Sequence, residues 1–382
     1  MRVAVVTSFP RDCQAPHGGV EAVSVTLVKA LARFPDLDLH VVTTHRDQEQ
    51  VAVETWEGAT IHRLPSASRR MLTSVLLHDK NMLREFMAGL RPDVIHSHDI
   101  YGAMLTERAV PQVFTVHGFI HADTLVSGGA WPRTRSCIWR WVELRGWAAQ
   151  DRIISISPYV RELVSRSAPA IIHDIDNPVR AEFFDLPRRD PGATVFTASV
   201  INKRKNVLAL VEAVALLRAE GQAVTLRVAG PVTDDAYGAR VREAIARHNL
   251  HDSVILLGAQ PVSAIQRELS QTSVFALASL EENSPMGIEE AMAAGVPVVT
   301  SNRCGMPYMV RDGESGFLVD PLNPRDIADA LRVILGNDQL RVKMGQAARA
   351  TALDRFHPDA VAVRTREVYL QAVRGRGAAV AA

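Results

Sequence analysis

The chain has 382 residues, beyond the roughly 250–300 at which a single hydrophobic core stops growing, so one compact domain is excluded and two are expected. With 43 basic against 42 acidic side chains it has no global positive field to gather nucleic acid, and 47% hydrophobic against 22% charged content excludes a largely disordered chain. Three scattered cysteines, Cys13, Cys137 and Cys304, form neither a disulfide framework nor a metal spacing, and no apolar run reaches the ~18 residues that span a bilayer; a reduced cytoplasmic protein is expected, with a peripheral place at the inner membrane face as a further option.

In chain order, Met1–Thr7 is a short apolar run stopped by Ser8-Phe9-Pro10, too short for a signal peptide, and it reads as a buried first strand. Similar runs follow at Leu39–Thr43, Val94–His98, Val113–His117 and Ile153–Ser157, separated by helical patterns. Continuous apolar strands alternating with helices predict a parallel sheet covered on both faces. The same rhythm restarts at Thr194–Ala198, Thr225–Ala229, Val254–Leu257, Val274–Ala276, Val296–Thr300 and Phe317–Val319. The fold class predicted is α/β with two doubly wound, Rossmann-like domains, at residues 1–180 and 191–358. A linker without periodicity is placed at Phe183–Gly192; residues 359–382 read as a last helix, packing back on the first domain, and a tail frayed from Arg374.

Several segments carry chemistry. His17-Gly18-Gly19-Val20-Glu21 opens a helix after a strand and loop, and paired glycines let a ligand approach backbone amides closely, although a plain tight turn has the same appearance. His96-Ser97-His98-Asp99 and Val116-His117-Gly118 end strands on the side where open α/β sheets bind ligands; the position accounts for them without a metal, which would need a full ligand set. Lys203, Arg204 and Lys205 crowd three cations onto one loop, which suits either solvation or an anion. Ser284 reads as an N-cap with Pro285 at the first helical position, leaving free amides near Met286 and Gly287 to meet a diphosphate. Glu282 and Glu290, eight positions apart, can bracket one ligand there, while an ordinary capped helix with solvated acids fits the same spacing. Trp131, Trp139, Trp141 and Trp147 interleave with Arg133, Arg135, Arg140 and Arg145, a mixture that suits a membrane interface or an amphiphilic acceptor, or else core aromatics with arginines in water.

The run from Ser279 to Thr300, with Glu282, Glu290, Ala291-Met292-Ala293 and Gly295-Val296-Pro297, resembles the E-x7-E motif of family 4 retaining glycosyltransferases of the GT-B fold. The resemblance covers nearly the whole chain and is closest from Phe196 to Pro321. It implies two Rossmann-like domains facing across a cleft, and a nucleotide-sugar donor whose hexose-type sugar passes to a glycan, lipid-linked or small-molecule acceptor, with no nucleic-acid partner and no metal cofactor. By the same resemblance, Glu290 bonds the ribose, Glu282 the donor sugar, and His117 lies near the reaction centre. Gly18, Gly19, Met286, Gly287 and Gly258 contribute donor contacts, and His98 and Asp99 are candidates for acceptor contacts, with a capping or structural role equally open to both.

Lys205 matches the lysine of the family's Gly-Arg-x4-Lys-Gly motif, whose arginine, first glycine and last glycine are here Val200, Ser199 and Asn206. Lys203 or Arg204 is left to supply the second cation on the departing diphosphate. Cys304-Gly305-Met306-Pro307-Tyr308 stands where the family often has Gly-Gly-x-Pro-Glu. Competing functions are a nucleotide-sugar epimerase or hydrolase, and a catalytically silent nucleotide- or glycan-binding protein.

Overall fold

The computed structural model describes residues 1–66, 78–106, 109–127, 131–189 and 192–380. The chain divides into two compact units, Met1–Pro178 with Pro358–Ala382, and Val179–His357.

In the first unit β1 (Arg2–Val6), β2 (Asp38–His45), β4 (Ala59–Pro65), β5 (Val94–His98), β6 (Gln112–Val116), β7 (Arg152–Ser155) and β8 (Ile171–Asp174) pair in parallel; β3 (Ala52–Trp56) runs antiparallel to β4 at one edge. The sheet order is β3-β4-β2-β1-β5-β6-β7-β8. Because helices cover both faces, Val3, Ala4, Val5 and Val6 are all fully buried and the strand shows no polar alternation. The covering helices include α1 (Gly19–Leu31), α2 (Asp79–Leu90), α3 (Ile100–Met104), α4 (Ile120–Ser127), α5 (Pro132–Ala148) and α6 (Pro158–Ser165).

The second unit has the order β11-β10-β9-β12-β13-β14, all parallel, from β9 (Thr194–Ala198), β10 (Thr225–Ala229), β11 (Val254–Gly258), β12 (Val274–Leu277), β13 (Val298–Ser301) and β14 (Gly316–Val319). Counted within the unit this is 3-2-1-4-5-6, the Rossmann order, which reverses between β9 and β12. Along β12 the side chains alternate between two cores: Val274 and Ala276 pack beneath α7 (Val207–Ala219), Phe275 and Leu277 beneath α10 (Met286–Ala293). The other helices are α8 (Asp235–Arg247), α9 (Val262–Ser270), α11 (Pro324–Leu335) and α12 (Asp338–Arg355).

Two expectations are corrected. The predicted linker is not free chain: Val179, Phe183 and Phe184 are buried in the second unit's core beside Phe356, and Val179 N donates to Phe356 O at 2.9 Å. The two phenylalanines bury too much apolar surface to remain in a solvated tether. Asp190 and Pro191, part of that stretch, lie outside the described residues, as do Ala381 and Ala382.

The last helix, α13 (Pro358–Val380), continues through Arg374 rather than fraying there. Its inner face, Val361, Val368, Tyr369 and Ala372, shares a core with Val28 and Leu31 of α1, and Arg366 and Asp359 pair with Asp36 and Arg33. Arg152 adds a bond from its guanidinium to Gln371 O at 3.0 Å near the helix end.

Candidate active site

Ligands in open α/β sheets bind beyond the carboxyl ends of strands where the strand order reverses. In the second unit those ends are the exits of β9 and β12. The β9 exit is bound to its neighbour by backbone: Ser199 N donates to Ala229 O at 2.8 Å and Ile201 N to Pro231 O at 2.8 Å. At Gly230, φ is 149°, and a Cβ would stand 1.9 Å from Ser199 O, so only glycine permits this approach. Asn202 Oδ1 then accepts from Lys205 N at 3.0 Å, tightening the turn that carries the cations.

Asn206, where the resemblance expects glycine, caps α7 in the left-handed region at φ 54°, ψ 40°, and its Nδ2 donates to Pro321 O at 2.7 Å. Asparagine tolerates this conformation better than other non-glycine residues, so the departure preserves the turn. Cys304 likewise holds φ 54° at a position where the family often has glycine.

The two exits meet in an ion pair. Lys205 Nζ lies 2.5 Å from Glu282 Oε1, with the side chains 15% and 10% exposed, and the Arg204 guanidinium lies 3.4 Å from the same oxygen. Arg204 also donates to Glu281 O at 3.2 Å, whereas Lys203 is exposed. Of the two cations left open by Val200, the one beside Glu282 is therefore Arg204. The Glu282 loop is braced from behind by Gly305 N, which donates to Glu282 O at 2.8 Å; a Cβ on Gly305 would stand 1.8 Å from Asn283 O.

α10 begins differently from the expected capped start. Pro285 itself is the N-cap, and its carbonyl accepts from Ile288 N at 3.0 Å; the Ser284 hydroxyl instead donates to Glu289 Oε1 at 2.6 Å. The pull of the buried Glu289 carboxylate turns the serine away, so no side chain caps the helix. Its first amides, including Met286 and Gly287, keep the positive end of the helix dipole unsatisfied by any cap. A Cβ on Gly287 would come to 3.3 Å from Ala198 O, which shows how closely this helix end packs on the β9 exit.

Glu290 shares a helix face with Met286, one turn on. Burial raises its carboxyl to about 7, opposed by the charge of Arg180. Nothing in the sequence pattern singles out Arg180. Gly258 sits apart at the end of β11, exposed, at φ 68°, with open space around it; its carbonyl accepts from Gly230 N at 2.8 Å.

In the first unit the order reverses between β1 and β5. Gly18, after β1, is the exposed N-cap of α1 at φ 90°, with no side-chain cap, and Gly19 is exposed beside it. Glu21 in the first turn accepts from His17 N at 2.6 Å.

Beyond β5 and β6, His98 Nδ1 and His117 Nε2 are 2.8 Å apart, so one ring donates to the other. Asp99 Oδ1 accepts from His117 N at 3.2 Å, and Asn177 bonds the His117 side chain. Burial pushes His98 and His117 below the usual imidazole range, which keeps both neutral near pH 7, and pushes Asp99 up.

His98 is 1% exposed and supports His117, and Asp99 holds the same residue's backbone, the structural of the two roles open to them. His96 is fully buried between Tyr369 Oη at 2.6 Å and Thr115 Oγ1 at 2.7 Å, an anchor for the last helix. Among the described residues no group of three His, Cys, Asp or Glu side chains is placed to hold a metal ion.

Two family descriptions divide the chain near the same point as the two units: Glycosyltransferase Family 4 matches residues 17–183 and Glycosyl transferases group 1 matches 179–351. The alpha-maltose-1-phosphate synthase of Mycolicibacterium smegmatis is 27% identical over 97% of this chain and 99% of its own. Among solved structures, a sucrose-phosphate synthase from Thermosynechococcus elongatus superposes with TM-score 0.80 at 21% identity, covering 97% of this chain and 98% of that one. Anabaena HepE, solved in complex with UDP and glucose, superposes with TM-score 0.73 at 16% identity over 97% and 100% of the two chains. The two parallel sheets and these likenesses define a GT-B fold. The chain belongs to the family 4 glycosyltransferases.

Proposed function

We propose that the protein is a retaining hexosyltransferase that takes its sugar from a nucleotide diphosphate donor, without a metal, and passes it to a glycan, lipid-linked or small-molecule acceptor. The observation that carries this reading is the Lys205–Glu282 pair, with Arg204 beside it, at the strand-order reversal next to the uncapped start of α10. Lys205, Arg204 and the uncapped helix N-terminus supply two cations and free amides beside Glu282, groups that suit a diphosphate.

On this reading the donor exchanges partners with the pair. The pyrophosphate takes Lys205, Arg204 and the Met286 and Gly287 amides, and Glu282 is released to accept hydrogen bonds from sugar hydroxyls. Glu290 receives the ribose; a carboxyl raised by burial towards 7 adds little repulsion to a nearby phosphate. As the glycosidic C–O bond breaks, negative charge develops on the leaving phosphate, where the fixed cations and amides stabilise it. The departing oxygen accepts the acceptor's proton on the face from which the acceptor attacks, so the anomeric configuration is retained. His117, kept neutral by burial, is held by Asp99, Asn177 and His98; the family resemblance assigns it a place near the reaction centre, where a neutral ring adds no charge.

The test is transfer from UDP-, GDP- and ADP-hexoses to simple glycoside and lipid-phosphate acceptors in the presence of EDTA, with the product anomer read by NMR. The proposal expects one donor base to support acceptor-dependent transfer with retention. An inverted product, a strict need for added divalent metal, or turnover of the donor alone as in an epimerase or hydrolase contradicts it.

A further inference from the structure

The tryptophan- and arginine-rich segment is only half accounted for by the core. In α5, Trp139, Val142 and Trp147 are buried, and the only acid, Glu143, is buried too, accepting from Ile120 N at 2.5 Å and pairing with His121. The opposite face carries Ile138 and Trp141, with Trp131 just before the helix; Trp131 is 79% and Trp141 54% exposed. Ile138, Trp141 and Arg145 follow at i, i+3 and i+7, so they form one stripe, and Arg133 and Arg140 flank it. The Arg145 guanidinium stacks on Trp141 at 4.8 Å from the ring centroid. Beside this pair is a groove of about 410 Å³ lined by Lys80, Thr106, Trp141, Val142 and Arg145.

We propose that this outer face docks on an anionic phospholipid bilayer, with one lipid headgroup phosphate seated in the groove between Lys80 and Arg145. Exposed indole rings prefer the headgroup level of a bilayer, and arginines around them are drawn to anionic lipid. The solvent face of α5 carries no acid to oppose that charge. Charge also selects against a second copy of the chain, because a two-fold contact would set Arg133, Arg140 and Arg145 against themselves. Since the helix is fixed by its buried tryptophans, it does not sink into the bilayer; only the outer side chains reach the headgroups. Docking rests on this face alone, so its failure would leave the proposed sugar transfer standing.

The experiment is flotation of the full chain with vesicles of phosphatidylcholine, with and without phosphatidylglycerol, at low and high salt. The wild-type protein is expected to float only with phosphatidylglycerol and less in high salt. Arg145→Gln and Arg140→Gln should each weaken partitioning about fivefold and Trp141→Ser by a similar factor, with melting temperature and nucleotide binding kept; Arg145→Lys should retain most of it. Absence of flotation, equal flotation on neutral vesicles, insensitivity to all these substitutions, or a wild-type dimer that Trp141→Ser dissociates would overturn the proposal. The wild-type lipid and salt dependence decides the matter even if a variant fails to fold.

Discussion

Glu282 Oε1 sits 2.5 Å from Lys205 Nζ, and this contact, with the bonds of Arg204 beside it, joins the ends of β9 and β12, the two strands between which the second sheet reverses its order. The pair is largely shielded from water, so each charge depends on the other.

Removing either partner should therefore act on both stability and catalysis. Lys205→Met and Glu282→Gln are each expected to lower unfolding free energy by about 1–3 kcal/mol, somewhat less than for a fully buried pair, and the double variant to recover part of that loss. Each single change should also cut transfer at least about tenfold, ~1.4 kcal/mol in barrier. Urea denaturation of the four-protein cycle and initial rates check both; additive stability losses would show that the pair is not coupled.

Glu290 gives a pH signature. A carboxyl raised by burial to about 7 binds its proton more tightly folded than unfolded. Its contribution is therefore fully present below the unfolded value near 4.3 and is lost as pH rises through about 7. Glu290→Gln should remove that loss, so the variant gains on the wild type between pH 5 and pH 8 by about 1–2 kcal/mol, read from melting curves across that range. A constant difference at all pH values would contradict the assignment.

Gly230 and Asn206 shape the cation loop. Gly230→Ala forces a Cβ onto Ser199 O and should cost at least about 2 kcal/mol, with weaker nucleotide binding. Asn206→Gly should stay within about 1 kcal/mol of wild type, because relieved backbone strain offsets the lost bond to Pro321. Equal damage from both would contradict the conformational reading.

The histidines separate into two roles. Tyr369→Phe leaves buried His96 without its hydroxyl partner and should lower stability by about 1–3 kcal/mol with turnover of the folded enzyme unchanged. His98→Ala should lower kcat while nucleotide affinity stays within about twofold, since it touches His117 rather than the donor site of the second unit. Denaturation, steady-state kinetics and nucleotide titration distinguish the two.

Apart from β4 and the edge strand β8, the parallel strands were legible because two-sided burial writes a run such as Val3–Val6 without polar interruptions. The edge hairpin of β3 and β4 was not. β3 is mostly exposed, and its turn uses Glu57 at φ 48° before Gly58 rather than a usual Asn-Gly signal. Spacing and resemblance singled out Lys205 and Glu282, but not the ion pair the fold makes of them, which depends on strand order. The start of α10 was misread by one residue because Ser284 has a competing acceptor in Glu289, a contact formed only by the folded turn. Arg180 escaped notice because a lone arginine carries no pattern; only the fold brings its charge to bear on Glu290.

The most direct test of the account is a structure of the protein with the nucleoside diphosphate that stabilises it most. The pyrophosphate is expected within hydrogen-bonding distance of Lys205 Nζ and the Gly287 amide, with Glu282 released from Lys205 and Glu290 at the ribose. A pyrophosphate bound elsewhere, or a Lys205–Glu282 pair left intact beside it, would contradict the claim.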